Sequence, residues 1–219
     1  MATRQILAEL AAAFEEIVGV GVNIESTGGV DAAKRVAAGE AFDIVVLASD
    51  AIDGLIAGGR LKEDSKVDLA RSGIAVAVRA GAVKPDLSTA DRLRAALRSA
   101  RRIGYSTGPS GTSLVNLLTS WGLLELLNER ATKAPPGVPV GSLVARGDVD
   151  LGFQQLSELM HLPGVDLVGM LPPDVQIWTT FSAALSVDAR HPAIARDLLA
   201  YLASPEASDA KRRQGMEPA

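Results

Sequence analysis

The chain has 219 residues, no cysteine and a formal net charge of −4. Disulfides, thiolate metal sites and a cysteine nucleophile are therefore excluded, and nucleic acid is not an expected partner, because no basic run is long enough to track phosphates. Hydrophobic residues make up 47% and aromatic residues only 4%, so the core must come from Ala, Val, Leu and Ile, as in helices laid on buried parallel strands.

Ile6, Leu7, Leu10, Ala13, Phe14 and Ile17 fall on one stripe and predict a helix at the start of the chain, with neither a strand nor a signal-peptide pattern before it. Residues 20–25 read as a strand, 30–38 as a helix ended by Gly39, and 43–48 as a buried parallel strand. Asp50 caps a short helix through Ile56, and 72–80 is another Val-rich strand. Pro85 and Ser88 mark a boundary, so one lobe is expected to hold residues 1–80 and 176–219, and the other 81–175. The second lobe repeats the grammar of the first. Helices are predicted at 90–100, 110–121, 123–129 and 140–145, and strands at 102–106, 149–154 and 165–171. A β-rich stretch at 176–188 and two helices, 192–203 and 206–214, finish the chain.

Three strand ends are polar and uncharged. Tyr105-Ser-Thr-Gly-Pro-Ser-Gly-Thr-Ser113 follows a strand and opens a helix, where unpaired backbone N–H groups and the positive end of the helix dipole suit an anion; a capped helix start with Ser110 as N-cap explains the same residues equally well. Ser26-Thr27-Gly28-Gly29 is a second such junction, with a glycine turn as its plainer reading. Gln154-Gln155-Leu156-Ser157 ends a third strand, where an α/β sheet presents its ligand contacts. The P-loop lysine is missing, and Thr112 stands where a nucleophile elbow needs its last glycine. His161 and His191 read as surface residues. The pairs Asp148/Asp150 and Glu15/Glu16 read as caps or solvated faces, and no metal site is expected.

Taken together and in order, Ala37-Ala-Gly-Glu-Ala-Phe-Asp-Ile-Val46, Gly108-Pro-Ser-Gly111, Val144-Ala-Arg-Gly-Asp-Val-Asp-Leu-Gly-Phe153, Leu171-Pro172 and Leu202-Ala-Ser-Pro-Glu-Ala207 resemble the molybdate-binding family of ABC-transporter periplasmic proteins. The resemblance implies an α/β type II periplasmic-binding fold, two lobes joined by crossing strands, with the ligand in the cleft between them. It implies Thr27, Gly28 and Gly29 as contacts from one lobe and Ser110, Gly111, Thr112 and Gln155 from the other. Gly28-Gly29 and Gln155 depart from the Ser-rich loop and tyrosine of molybdate binders, so a small organic carboxylate fits as well as an oxyanion. The family also places a strand before the first helix, and that strand and a signal peptide are expected upstream of Met1.

The expected function is that of a periplasmic, monomeric solute-binding component of an ABC importer, which hands a small anion to a membrane permease without a cofactor and without catalysis, so that aconitate is not turned over. The alternative is an isomerase of a small unsaturated tricarboxylate such as aconitate, in which Glu25 or Asp43 would be the base that moves an allylic proton. A ligand-sensing domain of a transcription factor is disfavoured, since no helix-turn-helix is present.

Overall fold

The computed structural model describes residues 1–219. Contacts divide it into two units, Met1–Ser72 with Thr179–Ala219, and Gly73–Trp178. The amphipathic stripe at the start folds as α1 (Arg4–Val18), which buries Ile6, Leu10 and Phe14 and stops at Gly19, whose φ of 72° suits a residue without Cβ. α2 (Gly29–Ala37), β1 (Ile44–Ala48), α3 (Ser49–Ala57) and β2 (Val67–Arg79) follow. β2 runs unbroken from the first unit into the second, so the change of unit falls within a strand and not at the Pro-containing stretch after Gly81.

The second unit continues with α4 (Ala90–Ser99), β3 (Ile103–Tyr105), α5 (Pro109–Ser120), α6 (Leu124–Arg130), β4 (Ala131–Lys133), α7 (Val140–Arg146), β5 (Leu151–Gln155), α8 (Leu156–Leu159) and β6 (Val165–Met170). The chain returns to the first unit through β7 (Trp178–Leu185), α9 (Pro192–Ala203), α10 (Ser208–Arg213) and β8 (Glu217–Pro218).

In the first unit β1 pairs antiparallel with β7, from Ile44 opposite Leu185 to Ala48 opposite Phe181, and β8 pairs with β2. The parallel partner expected for β1 is not what its apolar run encodes. Continuous hydrophobicity reports cover on both faces, and β1 has it. Val45 and Leu47 pack with Ile52 and Leu55 on one side, while Ile44 and Val46 meet the cluster of Leu10, Phe14, Leu198 and Leu202 on the other. The strand expected at residues 20–25 does not form. Its Val22 N–H donates to the Glu15 carboxylate and not to a ladder.

In the second unit β3 lies parallel to both β4 and β5, with Ile103, Gly104 and Tyr105 opposite Leu151, Gly152 and Phe153. β2 pairs antiparallel with β5 and β6. The core gathers Ile74, Val76, Leu93, Leu97, Leu114, Leu118 and Phe153, each worth about 1.5–3 kcal/mol when fully buried. Register places Gly104 beside Gly152, and this pair makes a smooth floor for α7. A Cβ on Gly152 would lie 2.4 Å from a Val144 methyl, and one on Gly104 would lie 2.9 Å from Val149. The short strand β4 escapes sequence reading because three residues carry too little pattern.

Candidate functional site

Because β3 and β5 run parallel and in register, their C-terminal ends finish side by side. Ser106 follows one and Gln154–Gln155 ends the other. This is the edge of an α/β sheet at which helices begin and backbone donors point outward.

The turn after β3 is tightly built. Gly108 is the N-cap of α5, and Pro109 occupies the first helical position. Ser110 is therefore not the N-cap. It lies in the first turn, 3% exposed, and its Oγ shares a 2.9 Å hydrogen bond with the Ser106 Oγ. The Gly108 carbonyl accepts from the Gly111 N–H at 3.0 Å and from the Thr112 N–H at 3.2 Å. Two amides that the sequence offered to an anion are thus spent within the helix, and the Ser110 amide is the first-turn donor that the helix leaves unused. Gly111 is required sterically, since a Cβ there would lie 1.8 Å from the Ser106 carbonyl oxygen. Thr112 is exposed.

The end of β5 is buried and polar: Gln154 is 4% exposed and Gln155 2%. The Gln154 Oε1 accepts the Val140 N–H at 2.8 Å, which satisfies the opening amide of α7. Glu158, in α8 directly after this strand end, is half-buried, and removal from water pushes its carboxyl above the usual range. Beside it, the Ser157 Oγ is buried without a hydrogen-bond partner.

In the first unit the Thr27–Gly29 junction opens α2, with Gly28 as N-cap and no side-chain cap. The Thr27 carbonyl accepts from the Met1 amino group at 3.3 Å, Thr27 and Gly28 are half-buried, and Gly29 is exposed.

Neither sequence-expected base is at liberty. Glu25 is exposed and paired with Arg35 at 2.7 Å. Asp43 accepts the Arg190 N–H at 2.6 Å and the His191 N–H at 2.9 Å, with the His191 ring 3.3 Å away. Burial raises the Asp43 carboxyl, but the hydrogen bonds from His191 and Arg190 outweigh it and hold the group below its ordinary range. Asp43 is a clamp on the turn before α9, and a poor proton acceptor. His161 is exposed, with φ of 65°. Sequence reasoning does not single out Glu158. The available signal is its position one turn beyond Gln154, directly after the polar strand end.

Comparison with known proteins gives the fold its place. The family model described as bacterial extracellular solute-binding protein matches residues 1–217. An aconitate isomerase from Pseudomonas sp. is 41% identical over 215 residues, covering 96% of this chain and 82% of that protein. The periplasmic molybdate-binding protein of Azotobacter vinelandii superposes with a TM-score of 0.80 at 23% identity, over 98% of this chain and 95% of that one. The sulfate-binding protein SubI of Mycobacterium tuberculosis H37Rv also gives 0.80, at 18% identity, over 99% and 83%. At these identities the two structures speak for the fold alone, and the type II periplasmic-binding fold implied by the sequence is the one they share with this chain. The expectation of a chain without catalysis is overturned, because the 41% identical relative is an enzyme. No helix is long and apolar enough to cross a membrane. With a family match over nearly its whole length, the chain belongs to the bacterial extracellular solute-binding protein family.

Proposed function

We propose that this chain is an isomerase of a small unsaturated tricarboxylate and interconverts cis- and trans-aconitate. The observation that carries the reading is the 41% identity to an aconitate isomerase across 96% of the chain. The ligand contacts in this reading are Thr27, Gly28 and Gly29 in the first unit and Ser110, Gly111, Thr112 and Gln155 in the second. With the Gly111 and Thr112 amides spent within α5, the donors that this reading uses there are the Ser110 N–H and the Thr112 hydroxyl, neutral groups suited to carboxylates, since hydrogen bonds to charged groups are the strong ones.

The reaction is an allylic proton shift. A base removes a proton from the methylene carbon, and the C–H electron pair enters the allylic system, where the adjoining carboxylate delocalises it. A proton then returns at the former vinylic carbon, so the double bond moves by one position and the geometry about it changes. One C–H bond breaks and one forms, with no oxidant, reductant or cofactor in the balance.

The test is incubation of the protein with cis- or trans-aconitate while the isomer ratio is followed by proton NMR. Conversion towards the same equilibrium from both sides, faster than in buffer, is expected. No turnover from either isomer would end the reading. The family match over residues 1–217 favours a second reading, capture of the same anion in the periplasm for delivery to an ABC permease. Binding without turnover is the outcome that would select it.

A further inference from the structure

Resting on the isomerase reading, we propose that Lys133 is a specificity-determining residue, whose ammonium at the end of β4 meets one carboxylate of the substrate and makes this sheet edge selective for a highly charged anion.

The placement follows from register. Tyr105 of β3 lies opposite Phe153 of β5 on one side and opposite Lys133 of β4 on the other, and all three strands are parallel. Lys133 therefore ends β4 on the same sheet edge as Ser106 and Gln155. The ladder continues one step beyond it, since the Ala134 N–H donates to the Tyr105 carbonyl at 2.8 Å, and Ala134 is itself buried. The backbone of Lys133 is thus held beside the end of β3. Residues opposite each other in a ladder share a face of the sheet. Ile103 sits in one cluster with Leu114 and Leu118 of α5, and Tyr105 packs against that cluster. The Lys133 side chain accordingly leaves the sheet on the face that carries α5, at the edge where α5 begins. The Ser110 N–H and the Thr112 hydroxyl stand at the same helix start.

The charge of the group agrees with its placement. At the opposite edge of the same strands the cations are engaged: Arg101 pairs with Asp150 at 3.4 Å, and Arg130 donates to the Arg98 carbonyl at 3.1 Å. Lys133 is exposed and pairs with no carboxylate, while the residues that end β3 and β5 beside it, Tyr105–Ser106 and Gln154–Gln155, are neutral. A tricarboxylate held by neutral donors alone would keep its charge uncompensated in a partly dehydrated site. A cation offsets that cost over several ångströms, because attraction between charges falls only as the inverse of distance. Lysine suits the task, since its ammonium is a point charge on a flexible four-carbon stem and can follow one carboxylate while the geometry about the double bond changes. An edge strand also carries lysine to resist pairing with another chain, and that plainer role predicts no effect on the ligand.

The experiment measures trans-aconitate binding by calorimetry and turnover by NMR for the parent chain, Lys133→Met and Lys133→Arg. Lys133→Met keeps an unbranched stem and removes the charge. Its dissociation constant and KM should rise by about 10- to 100-fold, as expected when a charged partner is lost, while kcat and the urea midpoint stay near those of the parent. Raising sodium chloride should weaken binding by the parent more than binding by Lys133→Met, because salt screens a pair that only the parent makes. Lys133→Arg restores the charge and should recover most of the affinity. An affinity of Lys133→Met within about threefold of the parent would overturn the assignment and leave Lys133 as a guard on the strand edge. A loss equally large at every salt concentration would overturn it too, since packing and not charge would then be its cause. A parent that binds aconitate without turning it over would end the isomerase reading, and the dissociation constants would still decide for or against Lys133. A parent that neither binds nor converts aconitate would sink the reading and the assignment together.

Discussion

The helix starts at Ser106–Thr112 and Thr27–Gly29 look alike in sequence, each a hydroxyl-bearing run with glycine, yet they are built differently. At Ser106–Thr112 the helix start is pressed onto the strand end: the Ser106 carbonyl fills the space where a Gly111 side chain would be, and two buried hydroxyls bond each other. At Thr27–Gly29 a Cβ on Gly29 would find only a Leu47 methyl at 3.9 Å, an ordinary contact. The polar bonds that hold the second unit's site are buried and neutral, Ser106 to Ser110 and Gln154 to Val140. Those around the first unit's junction and β1 join exposed, charged groups, Arg35 with Glu25 and Glu40, and Asp43 with the turn before α9. A donor array keeps its geometry best when packing fixes it, so of the two junctions the one in the second unit is the more firmly built.

The largest effect expected from this contrast is that of Gly111→Ala. A methyl 1.8 Å from a backbone oxygen cannot be relieved by a rotamer change, so α5 must lift from β3, at a cost of about 3 kcal/mol or more. The urea midpoint should fall accordingly, and aconitate turnover with it. An unchanged midpoint would show that helix and strand part freely, and the distinction between the junctions would collapse.

A smaller effect should appear in acid. Asp43 and Glu40 are held below their ordinary values in the folded chain. Their contribution is therefore present above the unfolded carboxyl pKa of about 4 and is lost as pH falls through the folded values. Solvent screens both groups, so the loss is modest. Hydrogen exchange at the amides of Arg190 and His191 should accelerate as pH drops below about 4, once the intrinsic pH dependence of exchange is removed. In Asp43→Asn that extra acceleration should be absent, while the amides of Gly111 and Thr112, held in a neutral turn, show none in either protein. Equal acid response in both regions would contradict the division into charged and neutral supports.

Much of the fold is legible in the sequence because its helices carry strong stripes and its sheet strands are apolar. α1, α4 and α9 fall close to where periodicity puts them, and α4 is capped by Thr89, whose hydroxyl oxygen accepts the Arg92 N–H. What fails does so where pattern and environment part company. Residues 20–25 have strand composition, but composition does not supply a neighbour, and the Val22 amide finds Glu15 instead. β1 reads as parallel because burial on two faces resembles parallel pairing. The site is legible as polar strand ends. It is not legible as geometry, because the buried bond at the end of β5, from the Val140 N–H to the Gln154 Oε1, arises only when β5 and α7 meet. Asp43 illustrates the converse, for its two backbone partners lie in the turn before α9, far along the chain.

The smallest effect, and the closest test of the comparison, is Gly29→Ala. Gly29 is the first residue of α2 and is exposed, so the glycine there answers to no close approach within the fold. Glycine widens the unfolded ensemble and is a poor helix former, and alanine corrects both where the backbone permits it. The added methyl would touch Leu47 at van der Waals distance and cover a little of it. Gly29→Ala should accordingly leave the urea midpoint unchanged or raise it, by no more than about 0.5 kcal/mol. A fall of the size expected for Gly111→Ala would mean that the first junction is as tightly built as the second. Loss of aconitate turnover at full stability would be more instructive still. It would place the ligand, and not the protein's own backbone, in the space beside Gly29, and would make that glycine a contact chosen for the substrate's approach.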